Sequence, residues 1–407
     1  MQQTLQPVSE QARFESLDLI RGIAVLGILI MNINTFSNVF AYYMNPYIYG
    51  EPSQVDLITW HLTHIFADQK FYTIFSMLFG AGIMLMVDRA KTKGVNAGGV
   101  HYRRMGWLVL FGLVHGYVIW FGDILTTYAV TGLWVYLFAI NSQPKTKIIV
   151  GTVLIFLLAL LMWAMGFAME FMPEADRAQM SEMFYPSHDL INEETKAYQG
   201  SFLDQLQHRL MFYSQNLANA IILIGPMRIG GGMLIGMALY QLGILTAEKD
   251  NRFYWKMATI TLLTGFAFLA YDSQQLTTNN FNFSSLWNSF TLINGLGSAL
   301  IALGYIALFC LWFKSNTWVW LKKKFIAVGR MAFTNYLTQS LIATFIFYNH
   351  GLGLFNQLQR HEQYYIVAGI FILQLVWSDW WLKRYHFGPL EWLWRTLTYG
   401  TKQPFKK

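Results

Sequence analysis

Charge is scarce in this 407-residue chain, where Asp, Glu, Lys and Arg together make up 13% of the residues. A soluble protein of this length carries about a quarter. The shortage argues against a soluble multidomain enzyme. Disorder is excluded too, because 55% of the residues are apolar and a disordered chain cannot be that rich in groups that bury themselves. Cysteine is nearly absent. The single one, Cys310, lies inside an apolar run, so no intramolecular disulfide and no cysteine-ligated metal cluster can form. Also missing are a Walker A loop, a dinucleotide fingerprint and an HExxH zinc motif. No internal repeat, low-complexity tract or interdomain linker stands out.

What is present is apolar length. About 20 apolar residues span a bilayer, and ten such segments can be drawn: 17–36, 70–88, 104–121, 124–140, 147–170, 226–246, 254–271, 287–313, 328–348 and 364–382. The reading is an all-α polytopic membrane protein of about ten transmembrane helices. It forms one integral-membrane domain over 1–407. Within it lie an N-terminal five-helix half (1–172), an outer loop with an interfacial helix (173–225) and a C-terminal five-helix half (226–400). The first run, Leu19 to Ile33, carries Asp18 and Arg21 at its head and Asn32 and Asn34 at its tail. No small-x-small cleavage site follows it closely, so it reads as a retained span.

The net charge of +7 reads as basic inner loops, with no expectation of nucleic-acid binding. Segments 89–103, 141–146, 247–253 and 314–327 and the C-terminal tail hold most of the lysines and arginines. Residues 37–69 carry Glu51, Asp56 and Asp68 and no lysine or arginine. In 171–225 seven acids face Arg177, Lys196 and Arg209. The positive-inside rule then puts both termini in the cytoplasm. Residues 201–224 have helical periodicity up to the break expected at Gly225-Pro226, so they read as an interfacial helix. Trp392, Trp394 and Tyr399 suit a tail helix lying among lipid headgroups.

Polar groups inside spans are costly, so each is a site candidate. Asp18 and Arg21 share a helix face at the inner end, where they pair with each other or hold a phosphate-bearing ligand. Asn32 lies about 22 Å further along the helix, in the outer half. His115 stands about 16 Å beyond Arg104, flanked by Gly112 and Gly116, which admit a close neighbour. A lone histidine in such a place is most often a packing residue. A carboxylate that orients the ring suits it to general-base work, and Asp123 lies two turns on. The rise of about 12 Å between them on a straight helix requires a bend at Gly122 or a bridging water. Lys70 opens the second span on the outer side, where lysine runs against the loop bias. It reads as a snorkelling side chain or a site group. His61 and His64 have i,i+3 spacing but no third ligand nearby, and no metal is expected. Arg228, beside Gly230–Gly232, is placed to hold an anionic group or a lipid headgroup.

The segments LDLIRGIAVLGILIMNI (17–33), KFYTIFSMLFGAGI (70–83), GLVHGYVIWFGDIL (112–125), GRMAFTNYLTQSL (329–341) and FGPLEWLWR (387–395) together resemble the YeiB-like bacterial membrane proteins. Their C-terminal half is known as domain of unknown function 418. The resemblance covers nearly the whole chain, with the family region at about 230–400, and implies a multi-pass protein of the bacterial inner membrane. The LDxxRG opening is similar to that of transmembrane acyltransferases, including heparan-alpha-glucosaminide N-acetyltransferase and the acyltransferase-3 group. Those enzymes pass an acyl group from cytoplasmic acyl-CoA to an acceptor beyond the membrane. By that resemblance Arg21, with Asp18, meets the CoA phosphates. Acyl-CoA is then a co-substrate, with no permanently bound cofactor, and the acceptor is an outer-face glycan or lipid. One departure matters. Acyltransferase-3 proteins carry their catalytic histidine where this chain has Asn32. The heparan-type enzymes share the Asn and carry the histidine in the next outer loop, where this chain has Tyr43. His115 is the replacement expected as general base, with Asp123 orienting it, Asn32 and Lys70 stabilising the oxyanion and Arg228 binding the acceptor. Two other classes stay open: a transporter of a small anion, and a non-catalytic lipid-binding membrane protein.

Overall fold

The computed structural model describes residues 13–407. Among these residues regular structure is helical, apart from one isolated bridge between Tyr385 and Lys406. Helix α1 (Glu15–Ser37) carries Glu15 and Asp18 in its first turn, where acids favour the positive end of the helix dipole. Short α2 (Phe40–Met44) and α3 (Gln54–Phe66) follow. A turn through Gln69, at φ 64°, leads into α4 (Lys70–Thr92). Helix α5 (Gly98–Val114) runs into a π-helical turn at His115–Ile119, and the backbone then goes extended at Trp120. Helices α6 (Leu125–Ala139) and α7 (Pro144–Met169) form the next pair.

The polar outer loop is itself helical. It holds α8 (Glu174–Ser181), α9 (His188–Gln199) and the start of α10 (Phe202–Asn219). Ser201 and Asp204 form a reciprocal capping box at the head of α10, which satisfies two orphan backbone donors. In α9, Glu194 accepts from the Phe40 backbone N–H (3.1 Å), and burial pushes its carboxyl up to about 7.

The expected break at Gly225-Pro226 does not occur. Residues Ala220–Ile229 are π-helical and lead directly into α11 (Gly230–Gln241), giving one continuous helix, Phe202–Gln241. Proline lacks the N–H for a regular α-helical bond, and a wider turn accommodates it without ending the helix. Residues 201–224 are therefore the first half of a long helix, not a separate interfacial one.

The C-terminal half comprises α12 (Asn251–Thr278), α13 (Phe283–Asn288), α14 (Asn294–Lys314), α15 (Val319–Arg330), α16 (Ala332–Phe347), α17 (Gln363–Leu382) and α18 (Pro389–Tyr399). All ten expected segments fall on helices. Among the described residues, seven stretches are long and apolar enough to cross a membrane: Glu15–Ser37, Gln54–Thr92, Pro144–Met169, Phe202–Gln241, Asn251–Thr278, Phe283–Lys314 and Gln363–Leu382. The other three are interrupted or short. α5 gives way to its π turn, α6 has 15 residues, and Met331 separates α15 from α16.

Two glycine contacts set the frame. A Cβ on Gly329 of α15 would lie 1.8 Å from the Asp18 carbonyl oxygen of α1, and one on Gly22 would lie 1.9 Å from that of Phe325. Likewise a Cβ on Gly236 of α11 would meet the Met77 carbonyl of α4 at 1.9 Å. Small residues let helix backbones touch where the hydrophobic effect cannot drive association. The tail helix expected from Trp392, Trp394 and Tyr399 is present, and it also packs on the bundle. Glu391 of α18 accepts from the backbone N–H of Phe333 (2.7 Å) and Thr334 (3.0 Å), so it caps α16. Trp394 Nε1 donates to the Arg104 carbonyl (3.0 Å). α18 is docked on the bundle as a structural part of it.

Candidate functional site

Two cavities open toward opposite ends of the bundle. The larger, about 540 Å³, lies at the basic end and is lined by Arg13, Arg21, Arg89, Lys93, Arg104, Arg330 and Arg395. Its two acids, Asp18 and Glu391, are already engaged. Asp18 pairs with Arg13 (3.1 Å) and Arg21 (2.6 Å), and Glu391 caps α16. Seven cations against two committed acids leave an excess of positive charge. The guanidinium of Arg104 stacks over Trp394 at 4.6 Å and that of Arg395 over Phe387 at 4.6 Å, so both are held in place by aromatic faces. Deeper walls are apolar, with Leu78, Phe79, Leu108, Leu125 and Tyr336. A cationic mouth over an apolar floor fits an anionic headgroup carrying an apolar arm.

The second cavity, about 260 Å³, lies at the other end and is lined by Asn32, Tyr43, Asp68, Gln69, Tyr72 and Arg228 among others. Ile124 lines both cavities. Arg228 hydrogen-bonds the Gln69 side chain and sits over the Tyr72 ring at 5.8 Å. The left-handed turn at Gln69 aims that side chain at the arginine. Asp68 accepts from the Tyr43 hydroxyl and the Asn294 amide.

Behind Asp68 lies a buried polar network. His64 Nδ1 is 3.6 Å from Asp68 Oδ2, and its Nε2 is 2.8 Å from Asp272 Oδ2. Trp60 stacks on the imidazole at 4.6 Å. Ser289 Oγ donates to Asp272 (2.7 Å). Lys70 Nζ donates to the His64 carbonyl (2.6 Å) and to Asn294 Oδ1 (3.2 Å). Lys70, Asp68 and Asp272 are each at most 1% exposed. Lys70 is therefore not a snorkelling side chain, because its ammonium is held inside the fold.

His115 forms a separate centre. Its Nδ1 is 2.9 Å from Asp123 Oδ1 and its Nε2 is 2.9 Å from Ser340 Oγ. The required bend exists: the π turn and extended Trp120 fold the chain back, so the contact is direct. Asp123 also accepts from the backbone N–H of Leu125 (3.0 Å) and Thr126 (2.9 Å) and from Tyr213 Oη (3.2 Å). It caps α6 while it orients the histidine. Cβ atoms on Gly112 and Gly116 would lie 2.4 Å from Thr126 N and 2.3 Å from the Tyr213 ring, so both glycines serve the close packing expected of them. His115 and Ser340 are each 1% exposed, and neither lines the two cavities.

The expected site residues thus fall into three groups. Asp18 and Arg21 line the basic cavity. Asn32 and Arg228 line the smaller one, with Lys70 in the network behind it. His115 and Asp123 form a third, enclosed pair. Sequence reasoning did not assign Asp68, Asp272, Ser340 or the arginines at 89, 104 and 395. Asp68 and Lys70 stand together in the DQK run, a signal that was legible. The approach of Asp272 and Ser340 was not, since each is more than 200 residues from its histidine. Among the described residues, no group of three or more His, Cys, Asp or Glu side chains is placed to hold a metal ion.

These features define a helical membrane protein with two cavities meeting at one side chain. The chain belongs to the YeiB-like family, whose relatives match it from end to end. It is 30% identical to the uncharacterized protein YxaH of Bacillus subtilis, over 99% of this chain and 98% of that protein. It is also 30% identical to the uncharacterized protein YeiB of Escherichia coli, over 96% of this chain and 97% of that protein. A third relative is the uncharacterized 39.9 kDa protein in the amylase 3′ region of Bacillus acidopullulyticus, 27% identical over 98% of each chain. The family model for a protein of unknown function, DUF418, matches residues 239–401.

Proposed function

We propose that this protein is a transmembrane acyltransferase of the bacterial inner membrane. It takes an acyl group from cytoplasmic acyl-CoA and passes it to a hydroxyl or amine of an acceptor reaching the outer face. The observation that carries this reading is the pair of cavities that share Ile124, one with seven cations at its walls and one largely apolar with Asn32, Asp68 and a single guanidinium, Arg228, among its polar groups. In this reading the cationic cavity faces the cytoplasm, in a ten-span arrangement with both termini inside, supported by the basic loops and the positive-inside rule. There Arg21, Arg104 and Arg395 would hold the CoA phosphates, with Asp18 orienting Arg21, while the apolar floor takes the pantetheine arm and acyl chain. In the outer cavity Asn32 would donate to the oxyanion that forms on the thioester carbonyl, and Arg228 would bind an anionic group on a glycan or lipid acceptor. Lys70 supports this cavity through Asn294. His115, packed 5.2 Å from the Tyr336 ring, supports the floor of the basic cavity.

The runner-up is a transporter of a small anion, favoured by the same two cavities facing opposite ends with a thin wall between them. The separating experiment is thermal stability of the detergent-purified protein against acetyl-CoA, a long-chain acyl-CoA, CoA and ATP. A ligand that binds the folded state at 100 times its Kd stabilises by about 2.7 kcal/mol. The acyltransferase reading expects a saturable shift with CoA compounds, exceeding that with ATP and lost in Arg21→Ala. Stability that does not respond to any CoA compound contradicts it and moves the weight to transport.

A further inference from the structure

Acyl transfer to a hydroxyl needs a group that takes the acceptor's proton, and resting on the reading above, the geometry points to Asp68. We infer that Asp68 is the general base of the outer cavity, with His64 and Asp272 behind it as the positioning pair that takes up the proton.

Asp68 is the carboxylate that lines the outer cavity, so it touches whatever binds there. Its two oxygens are fixed by the Tyr43 hydroxyl and the Asn294 amide. His64 stands between two carboxylates, Asp68 at 3.6 Å and Asp272 at 2.8 Å. A neutral imidazole has one N–H and serves one of them. A protonated ring serves both, so this arrangement holds an added proton where most buried sites would reject it. The charges facing the histidine ring are Asp68 and Asp272, with Lys70 on its backbone carbonyl. Arg228 stands at the cavity on Gln69, and the neutral groups nearby are Ser289, Tyr43 and His61. Two cations and two anions balance. One added proton then leaves a single positive charge, which the oxyanion developing in the cavity offsets.

The step balances as follows. The acceptor oxygen attacks the thioester carbonyl carbon, and its proton moves to Asp68 and on to His64. The new C–O bond forms as the C–S bond breaks. The CoA thiolate leaves into the cationic cavity and takes a proton from water there. His64 and Asp68 then release the acceptor's proton to water on the outer side. By contrast His115 has the same ring chemistry, but Asp123 and Ser340 occupy both of its nitrogens and it faces neither cavity.

The test uses membranes of a bacterial host producing the full chain, supplied with acetyl-CoA, with CoA thiol release measured against matched membranes lacking it. Asp68→Asn is expected to lower release at least about 100-fold while keeping the acetyl-CoA thermal shift. His64→Gln is expected to lower kcat with KM unchanged and to flatten the pH–rate profile, a change that a merely structural role does not produce. Should Asp68→Asn fold poorly, Tyr43→Phe and Asp68→Glu replace it, with partial activity expected in both. Release within twofold of the unmodified protein in Asp68→Asn, or an unchanged pH profile in His64→Gln, overturns the base assignment alone. A missing acetyl-CoA shift, or no release above background in the unmodified protein, overturns the acyltransferase reading and the base assignment with it.

Discussion

His64 and His115 are both buried, both hydrogen-bonded to an aspartate, and both set where an α-helix meets irregular backbone. Only their surroundings differ. His64 backs Asp68, which opens on a cavity. His115 is closed in by Asp123, which caps α6, and by Ser340. The same pair of residue types is a reactive unit in one place and a strut in the other, and access decides which. Their neighbours make the point again. Lys70 and Arg228 compensate the charge of the first centre. The second has Tyr213, Tyr336 and Trp120 around it, with no cation among those contacts.

The largest effect expected from this contrast is the loss of turnover in Asp68→Asn at retained donor binding, at least about 100-fold. The matching change at the other centre is Asp123→Ala. It removes a helix cap and leaves the His115 Nδ1 donor unpaired, while Tyr213 keeps Thr126, so the expected cost is about 2 kcal/mol of stability. Thermal unfolding in detergent measures it, and the acetyl-CoA shift should persist in the folded fraction. An Asp123→Ala or His115→Ala protein of full stability and no turnover would invert the comparison and restore His115 as the base. A smaller effect is expected at the wall. Ile124→Ala widens the passage between the two cavities and should raise acetyl-CoA hydrolysis by water several-fold relative to transfer, read as CoA release against labelled product. The smallest concerns Glu194, a half-buried carboxylate whose partner is a backbone N–H and not a histidine. Its folded form keeps a proton between about 4.5 and about 7 that the unfolded chain has lost. Stability therefore falls as pH rises through that window. Glu194→Gln should unfold at the same temperature as the parent near pH 4.5 and at a slightly higher one at pH 8.

Much of the architecture was legible from apolar run length, because hydrocarbon requires helices that satisfy their own backbone. The ten segments all lie on helices for that reason. Pro226 misled because its lost hydrogen bond was absorbed by a π-helical stretch, which no local pattern announces. The tail helix forms where it was expected, but its docking on the bundle was not legible, because amphipathic aromatics look alike whether they meet lipid or protein. Glu391, a lone acid among Trp392, Trp394 and Arg395, was the clue that it caps something. At the site, Asp18, Arg21, Asn32 and Arg228 could be found as polar groups at span ends. The bend that joins His115 to Asp123 was expected at Gly122, but the π turn and extended Trp120 supply it two residues earlier. Asp272 and Ser340 reach their histidines across more than 200 residues, a distance over which spacing carries no information.

The most direct measurement is sided. Inside-out membrane vesicles holding the protein, with the basic cavity facing the medium, are given acetyl-CoA labelled in the acetyl group and, separately, in the adenine. Acyl transfer predicts acetyl label fixed to material on the lumenal face while adenine label stays outside, and no fixation in Asp68→Asn. Both labels entering the lumen together as a soluble molecule, or neither appearing there, would contradict the account.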